Sequence, residues 1–217
     1  ASLSPSASPS SGPSFIQEKA AENQDTLNPS VTLNSGATAG NLLVACIAVD
    51  KNASSFTVPS GFTSVQDYLG ASVSGAMAYK IATGGETTIQ WTLGAYTSGS
   101  ALWVGEYSGA SFNSLDQTTE NNSAETTVTS LSTGTTGVTT ANDELVITMC
   151  AIDSGKTVTG WSNGFYSEYN TADTSGAGVL FVGSKTTSST GTQESTFSWT
   201  GADQAYAAIA TFKLSGS

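Results

Sequence analysis

The sequence predicts an all-β protein: a jelly-roll-like antiparallel β-sandwich built from two tandem half-repeats. Three observations carry that prediction. Only 11% of residues are charged, against roughly 25% in ordinary soluble domains. The polar surface is instead Ser, Thr, Asn, Gln and Gly, a composition that suits strands and not long helices. Short apolar runs alternate with Gly, Asn and Thr-Ser turns from about residue 30 to the C-terminus, the pattern of successive strands. The chain also repeats itself.

The repeat is read directly from the residues. Asn41-Leu-Leu-Val-Ala-Cys-Ile-Ala-Val-Asp50 aligns without a gap on Glu144-Leu-Val-Ile-Thr-Met-Cys-Ala-Ile-Asp153, an offset of 103 (144 − 41). The same offset carries Gly61-Phe62 onto Gly164-Phe165 and Gly75-Ala-Met-Ala-Tyr79 onto Gly178-Val-Leu-Phe-Val182. Glu86-Thr-Thr-Ile-Gln-Trp-Thr92 matches Glu194-Ser-Thr-Phe-Ser-Trp-Thr200 at 108 (194 − 86), and Glu106-Tyr-Ser-Gly109 matches Lys213-Leu-Ser-Gly216 at 107 (213 − 106). Five segments in one order at nearly constant offset establish a duplication. A half with four or five strands leaves an apolar face to cover, and the economical solution is one sandwich in which both halves share a core. Two independent domains are the alternative.

The segments divide the chain into an extended Ser/Pro-rich N-terminal segment, 1–25, and a β-sandwich domain, 26–217, with repeats at about 30–110 and 126–217. Residues 1–14, ASLSPSASPSSGPS, have almost nothing to bury. Beyond them Phe15, Ile16, Leu27, Val31 and Leu33 offer apolar anchors along a poorly patterned stretch. Such a segment could add as a strand to the sheet edge of an identical subunit, and that makes these five residues candidates for assembly.

Chemistry is constrained by what the chain lacks. There is no His and no Arg, and six lysines face 17 acids for a net charge of −11. The commonest general base, the commonest transition-metal ligand and the bidentate guanidinium fork are therefore missing. The charge disfavours nucleic acid as a partner, and no apolar run is long enough for membrane insertion as a helix. No catalytic residue, cofactor or enzyme activity is expected, since abundant Ser and Thr are only hydroxyls without a base.

Remaining candidates are few. Trp91 and Trp199 occupy equivalent apolar strand faces and read as core anchors. Trp161, in the turn Gly160-Trp-Ser-Asn-Gly164 with Tyr166 and Tyr169 nearby, is a candidate for stacking on a sugar. Asp50 and Asp153 end equivalent strands and are weak Ca²⁺ candidates, because oxygen ligands are all this chain offers. Cys46 aligns with Met149 and Cys150 with Ile47, so the two thiols should point to opposite sheet faces and form no disulfide.

The runs Ser14-Phe-Ile-Gln17, Val31-Thr-Leu33, Ala39-Gly-Asn-Leu-Leu-Val44, Pro59-Ser-Gly-Phe62, Glu106-Tyr-Ser-Gly109 and Thr139-Thr-Ala-Asn-Asp-Glu-Leu-Val146 resemble a broad group. These are secreted bacterial surface modules and phage virion proteins of the type TAGNLLV…PxGW…EYSG. Phe62 stands where Trp is common in that pattern. The resemblance spans about 14–217 and implies a jelly-roll-like sandwich exposed on a cell or virion surface. Its implied roles are assembly from identical subunits, adhesion or glycan binding. The expected function is thus a non-enzymatic extracellular structural subunit of a filament or particle, with strand donation by its N-terminal segment; a carbohydrate-binding or adhesive module is the alternative.

Overall fold

A strand whose side chains are buried on both faces must lie inside a stack of layers, and Leu42–Asp50 and Leu145–Ile152 are of that kind, as are Gly99–Ser108 and Ala205–Leu214 beside them. Eight of nine side chains in Leu42–Asp50 are buried, as are all eight in Leu145–Ile152. In the computed structural model, which describes residues 12–51, 53–95, 99–109, 112–153, 155–170 and 178–214, these two strands sit back to back at the middle of the molecule. Every described element is a strand, and all pairings are antiparallel.

The first repeat comprises β1 (Ser14–Gln24), β2 (Ser30–Thr32), β3 (Leu42–Asp50), β4 (Phe56–Thr57), β5 (Thr63–Leu69), β6 (Val73–Ile81), β7 (Thr88–Gln90), β8 (Thr92–Leu93) and β9 (Gly99–Ser108). The second comprises β10 (Phe112–Asn122), β11 (Val128–Ser132), β12 (Leu145–Ile152), β13 (Val158–Trp161), β14 (Tyr166–Asn170), β15 (Val179–Thr186), β16 (Thr196–Asp203) and β17 (Ala205–Leu214). Each builds a five-stranded sheet of the same topology, β1-β9-β3-β6-β5 and β10-β17-β12-β15-β14. Short strands cover the outer face: β2-β7 and β4-β8 in one repeat, β11-β16-β13 in the other.

Three cores result, where one shared core was expected. Leu42, Val44, Cys46 and Ala48 face Leu145, Ile147, Met149 and Ala151 in the core between the two large sheets. The alternate side chains Leu43, Ala45, Ile47 and Val49 close a private core under Val31, Leu33, Ile89 and Trp91. Cys150 and Ile152 do the same with Leu131, Phe197 and Trp199. The molecule is therefore a β-sandwich of four layers, each repeat being a small sandwich joined to its twin through the larger sheet. The shared face is needed because both large sheets are apolar on both sides. Stacked Tyr68 and Tyr206 (centroids 5.5 Å apart) and the Tyr79–Phe212 pair (5.4 Å) fasten the two repeats together.

Strand registers correct the sequence alignment in two places. In the ladders Leu42 pairs with Ile81 and Tyr107, and its equivalent Leu145 pairs with Thr186 and Phe212. The offset is thus 105 for both neighbours (186 − 81 and 212 − 107). Gly75 stands at the place of Leu180 (not Gly178), Trp103 at that of Ala208, and Glu106 at that of Thr211 (not Lys213). Each slip is an even number of residues, so every side chain keeps its face, and that is why alternation alone could not reveal it.

The boundary at residue 25 is also corrected. β1 is an integral edge strand of the first large sheet, paired with β9 from Ser14↔Ser108 to Gln24↔Gly99. Most of the Ser/Pro run, 1–11, lies outside the described residues.

Candidate functional site

The edge formed by β1 and β9 concentrates the unusual chemistry of the first repeat. Glu106 on β9 is fully buried, and it accepts from Gln17 Nε2 at 2.6 Å, Asn41 Nδ2 at 2.6 Å and the Thr38 backbone N–H at 2.9 Å. Burial opposes its charge, but these donors outweigh burial and hold its carboxyl below the usual range. One step along β1, Glu18 accepts from Trp103 Nε1 at 2.6 Å. Burial pushes the Glu18 carboxyl up, the indole N–H pulls it partly back, and the Glu168 charge on β14 adds to the rise. Glu168 itself accepts from the Ser184 hydroxyl. Beyond this, Phe15 lies edge-on to Tyr107 at 5.8 Å, and Phe15 and Ile16 remain about half exposed (49% and 47%).

The second repeat performs the first of these tasks differently. Ala141 holds the place of Thr38 and Glu144 that of Asn41, and the Ala141 N–H donates to Glu144 Oε1 at 3.0 Å. The carboxylate has thus moved from the ninth strand to the start of the third. Burial pushes Glu144 up. Its neighbour Asp116 is brought down, because the Thr140 hydroxyl (2.6 Å) and N–H (2.7 Å) outweigh burial, with Lys213 at 3.6 Å.

The five assembly candidates separate in the structure. Phe15 and Ile16 lie on β1. Leu27 lies in the β1–β2 connection, with its carbonyl accepting from the Leu93 N–H at 2.8 Å. Val31 and Leu33 are buried in their own private core, so they cannot be donated elsewhere without opening it. Their apolar character serves the covering sheet, a role invisible in a three-residue strand.

The aromatic candidates do not form one platform. Trp161 tilts onto Phe197 at 4.9 Å, against the second private core. Its ring lies over Gly183, where an added Cβ would stand 2.4 Å from Cζ3. Tyr169 packs on the opposite sheet face, in the core between repeats. Only Tyr166 is freely presented, 74% exposed. Lys185 meanwhile sits 4.4 Å from the Phe165 ring.

Asp50 and Asp153 do come together where the ends of β3 and β12 meet. Burial first, then the hydrogen bond with Asp50 and the charge of Asp203, push Asp153 up to about 7, with Lys51 offsetting part of the rise. Lys156 pairs with Asp203 at 3.3 Å. Among the described residues no group of three or more His, Cys, Asp or Glu is placed to hold a metal. Cys46 and Cys150 are buried thiols in different cores, on the opposite faces that strand parity assigns them.

Sequence reasoning missed one concavity. A groove of about 490 Å³ opens on the outer face of the first repeat, between the Thr57–Phe62 turn and β7. Its walls include Pro59, Phe62, Glu86, Thr88 and Gln90. Glu86 is committed to Lys80 (2.7 Å) and Thr83 (2.8 Å), and despite burial these partners bring it down to about 2. The hydroxyls lie on short strands with no sequence signature of a site.

Comparison with family models, curated proteins and solved structures finds no match for this chain.

Proposed function

We propose that the chain is a non-enzymatic extracellular structural protein, a self-assembling subunit of a surface filament or particle. The observation that carries this reading is the β1 edge. An eleven-residue edge strand with exposed Phe15 and Ile16 presents backbone donors and acceptors to a neighbour, the feature that monomeric sandwiches normally blunt. The uncharged Ser/Thr surface and the lack of His and Arg favour a structural role over a catalytic one. Identical subunits are the partners in this reading. Light scattering over a rising concentration series tests it: mass should grow well beyond the monomer, and a constant monomer mass would refute it.

A second reading, a carbohydrate-binding or adhesive module, rests on the outer groove. Hydroxyl and amide groups there surround Pro59 and Phe62, a combination that suits a polar ring with one apolar face. A glycan array with Gln90→Ala as control tests it, since loss of signal in the variant would place binding in the groove.

A further inference from the structure

β1 and β10 hold the same position in their sheets, yet they are attached differently. β10 is tethered at both ends, between β9 and β11. Among the described residues β1 joins the sandwich at its C-terminal end alone. No side chain of β1 is fully buried, so it contributes little to any core. The edge it covers depends on it much more. Without β1, the buried Trp103 indole N–H loses Glu18 and Oε2 of the buried Glu106 loses Gln17, although Oε1 keeps Thr38 and Asn41, so one buried donor and one buried acceptor oxygen lose a partner. The β9 edge thus requires this strand, but nothing in the contacts requires that it come from the same copy.

The connection is built like a hinge. Asp25 has φ 45°, a left-handed conformation that costs energy outside glycine. From Leu27 onward the chain is fixed, with the Leu27 carbonyl held by Leu93 and that of Pro29 by the Trp91 N–H at 3.0 Å. The turn is closed by a clip in which Asn23 Nδ2 donates to the Ser30 carbonyl (3.2 Å) and the Ser30 N–H donates to Asn23 Oδ1 (3.3 Å), and within it the Asn28 N–H donates to Thr26 Oγ1 at 3.1 Å.

We propose that β1 is exchanged between copies of this chain: it swings out about Asp25–Thr26 and pairs with the β9 edge of a neighbour through the contacts it makes at home. This rests on the self-assembly reading and specifies its mechanism. The occupant is a second copy because the acceptor edge selects Gln17 and Glu18 at fixed register. Exchange of an identical element needs no new interface, and head-to-tail repetition leaves an open polymer when rotation does not close it. The home pairing is then a self-capped state that the Asn23–Ser30 clip maintains.

Cross-linking decides the matter on the full chain. Ser14 and Ser108 are Cα partners, within the ~4.5–5.5 Å of an antiparallel pair, and a disulfide tolerates that separation. Ser14→Cys and Ser108→Cys are made as two single variants, mixed, concentrated and oxidised, with each variant alone as control. The native thiols are buried. Exchange predicts cross-linked species joining the two variants on a non-reducing gel, faster with Asn23→Ala added. The double variant, oxidised while dilute, should keep its fold by circular dichroism and stay monomeric when concentrated. If assemblies form without those cross-links, and the locked double variant still assembles, exchange is wrong while self-assembly stands. If the wild-type chain never assembles, both fall.

Discussion

At the scale of single residues, the tryptophans and the glycines beneath them carry the sharpest consequences. Trp91 is fully buried and Trp199 nearly so (4% exposed), in equivalent private cores. Truncating either to Ala should cost ~3–5 kcal/mol, measured by denaturant unfolding. A loss below about 1 kcal/mol would mark a surface position instead. Trp161 depends on Gly183 for its seat. Gly183→Val should displace the ring and destabilise by about 1–3 kcal/mol, with a red shift of indole emission. An unshifted spectrum would contradict the stacked placement. The equivalence of Trp91 and Trp199 was legible in the sequence, because each is the sixth residue of the same seven-residue motif. The seat of Trp161 was not, since the glycine that makes it lies 22 residues away (183 − 161) on another strand. The exchange of a buried carboxylate between Glu106 and Glu144 was hidden for a similar reason. Glu144 aligns with Asn41, and only the structure reveals that the two acids reach equivalent backbone N–H groups, those of Thr38 and Ala141.

Elements were legible in proportion to their burial. The runs 42–49 and 145–152 announced themselves as apolar segments, each followed by an Asp. The covering strands β2, β4, β7 and β8 have two or three residues each, too few for any period to show, so the private cores were not foreseen. β1 was poorly patterned because an edge strand at the seam between two repeats is half wet on both faces, and no alternation marks it. Two-residue slips in β6/β15 and β9/β17 went unseen because parity survives them. The β9 edge makes its own prediction. Glu106→Ala leaves three donors, from Gln17, Thr38 and Asn41, without their acceptor. It should destabilise by ~2–4 kcal/mol, using ~1–3 kcal/mol for a buried donor left unpaired, while Glu106→Gln should recover part of that loss.

For the whole molecule, the seam between repeats sets both folding and pH response. An isolated second repeat would expose the apolar face of β12, β15 and β17, so it should aggregate or bind hydrophobic dyes where the full chain does neither. Asp153 gives the seam a titration. Its folded pKa of about 7 lies above the ~3.9 of an unfolded Asp, so the native state binds the extra proton between those values. Stability from this group is complete below about pH 4 and falls as pH rises to about 7. Glu86, brought down to about 2, acts oppositely and is lost only as pH drops from about 4 toward 2. Asp153→Asn should therefore stabilise by about 1–2 kcal/mol at pH 8, discounted for partial solvent screening, and change little at pH 4. Equal effects at both values would remove the carboxyl pair from the seam.

Self-assembly is the claim on which this view of the molecule depends, and electron microscopy of the purified full chain at high concentration examines it most directly. The β1 edge predicts filaments or closed particles of regular repeat that grow with concentration, and exchange of β1 further predicts their absence when the Ser14→Cys/Ser108→Cys pair is oxidised beforehand. Uniform monomers at every concentration would contradict it.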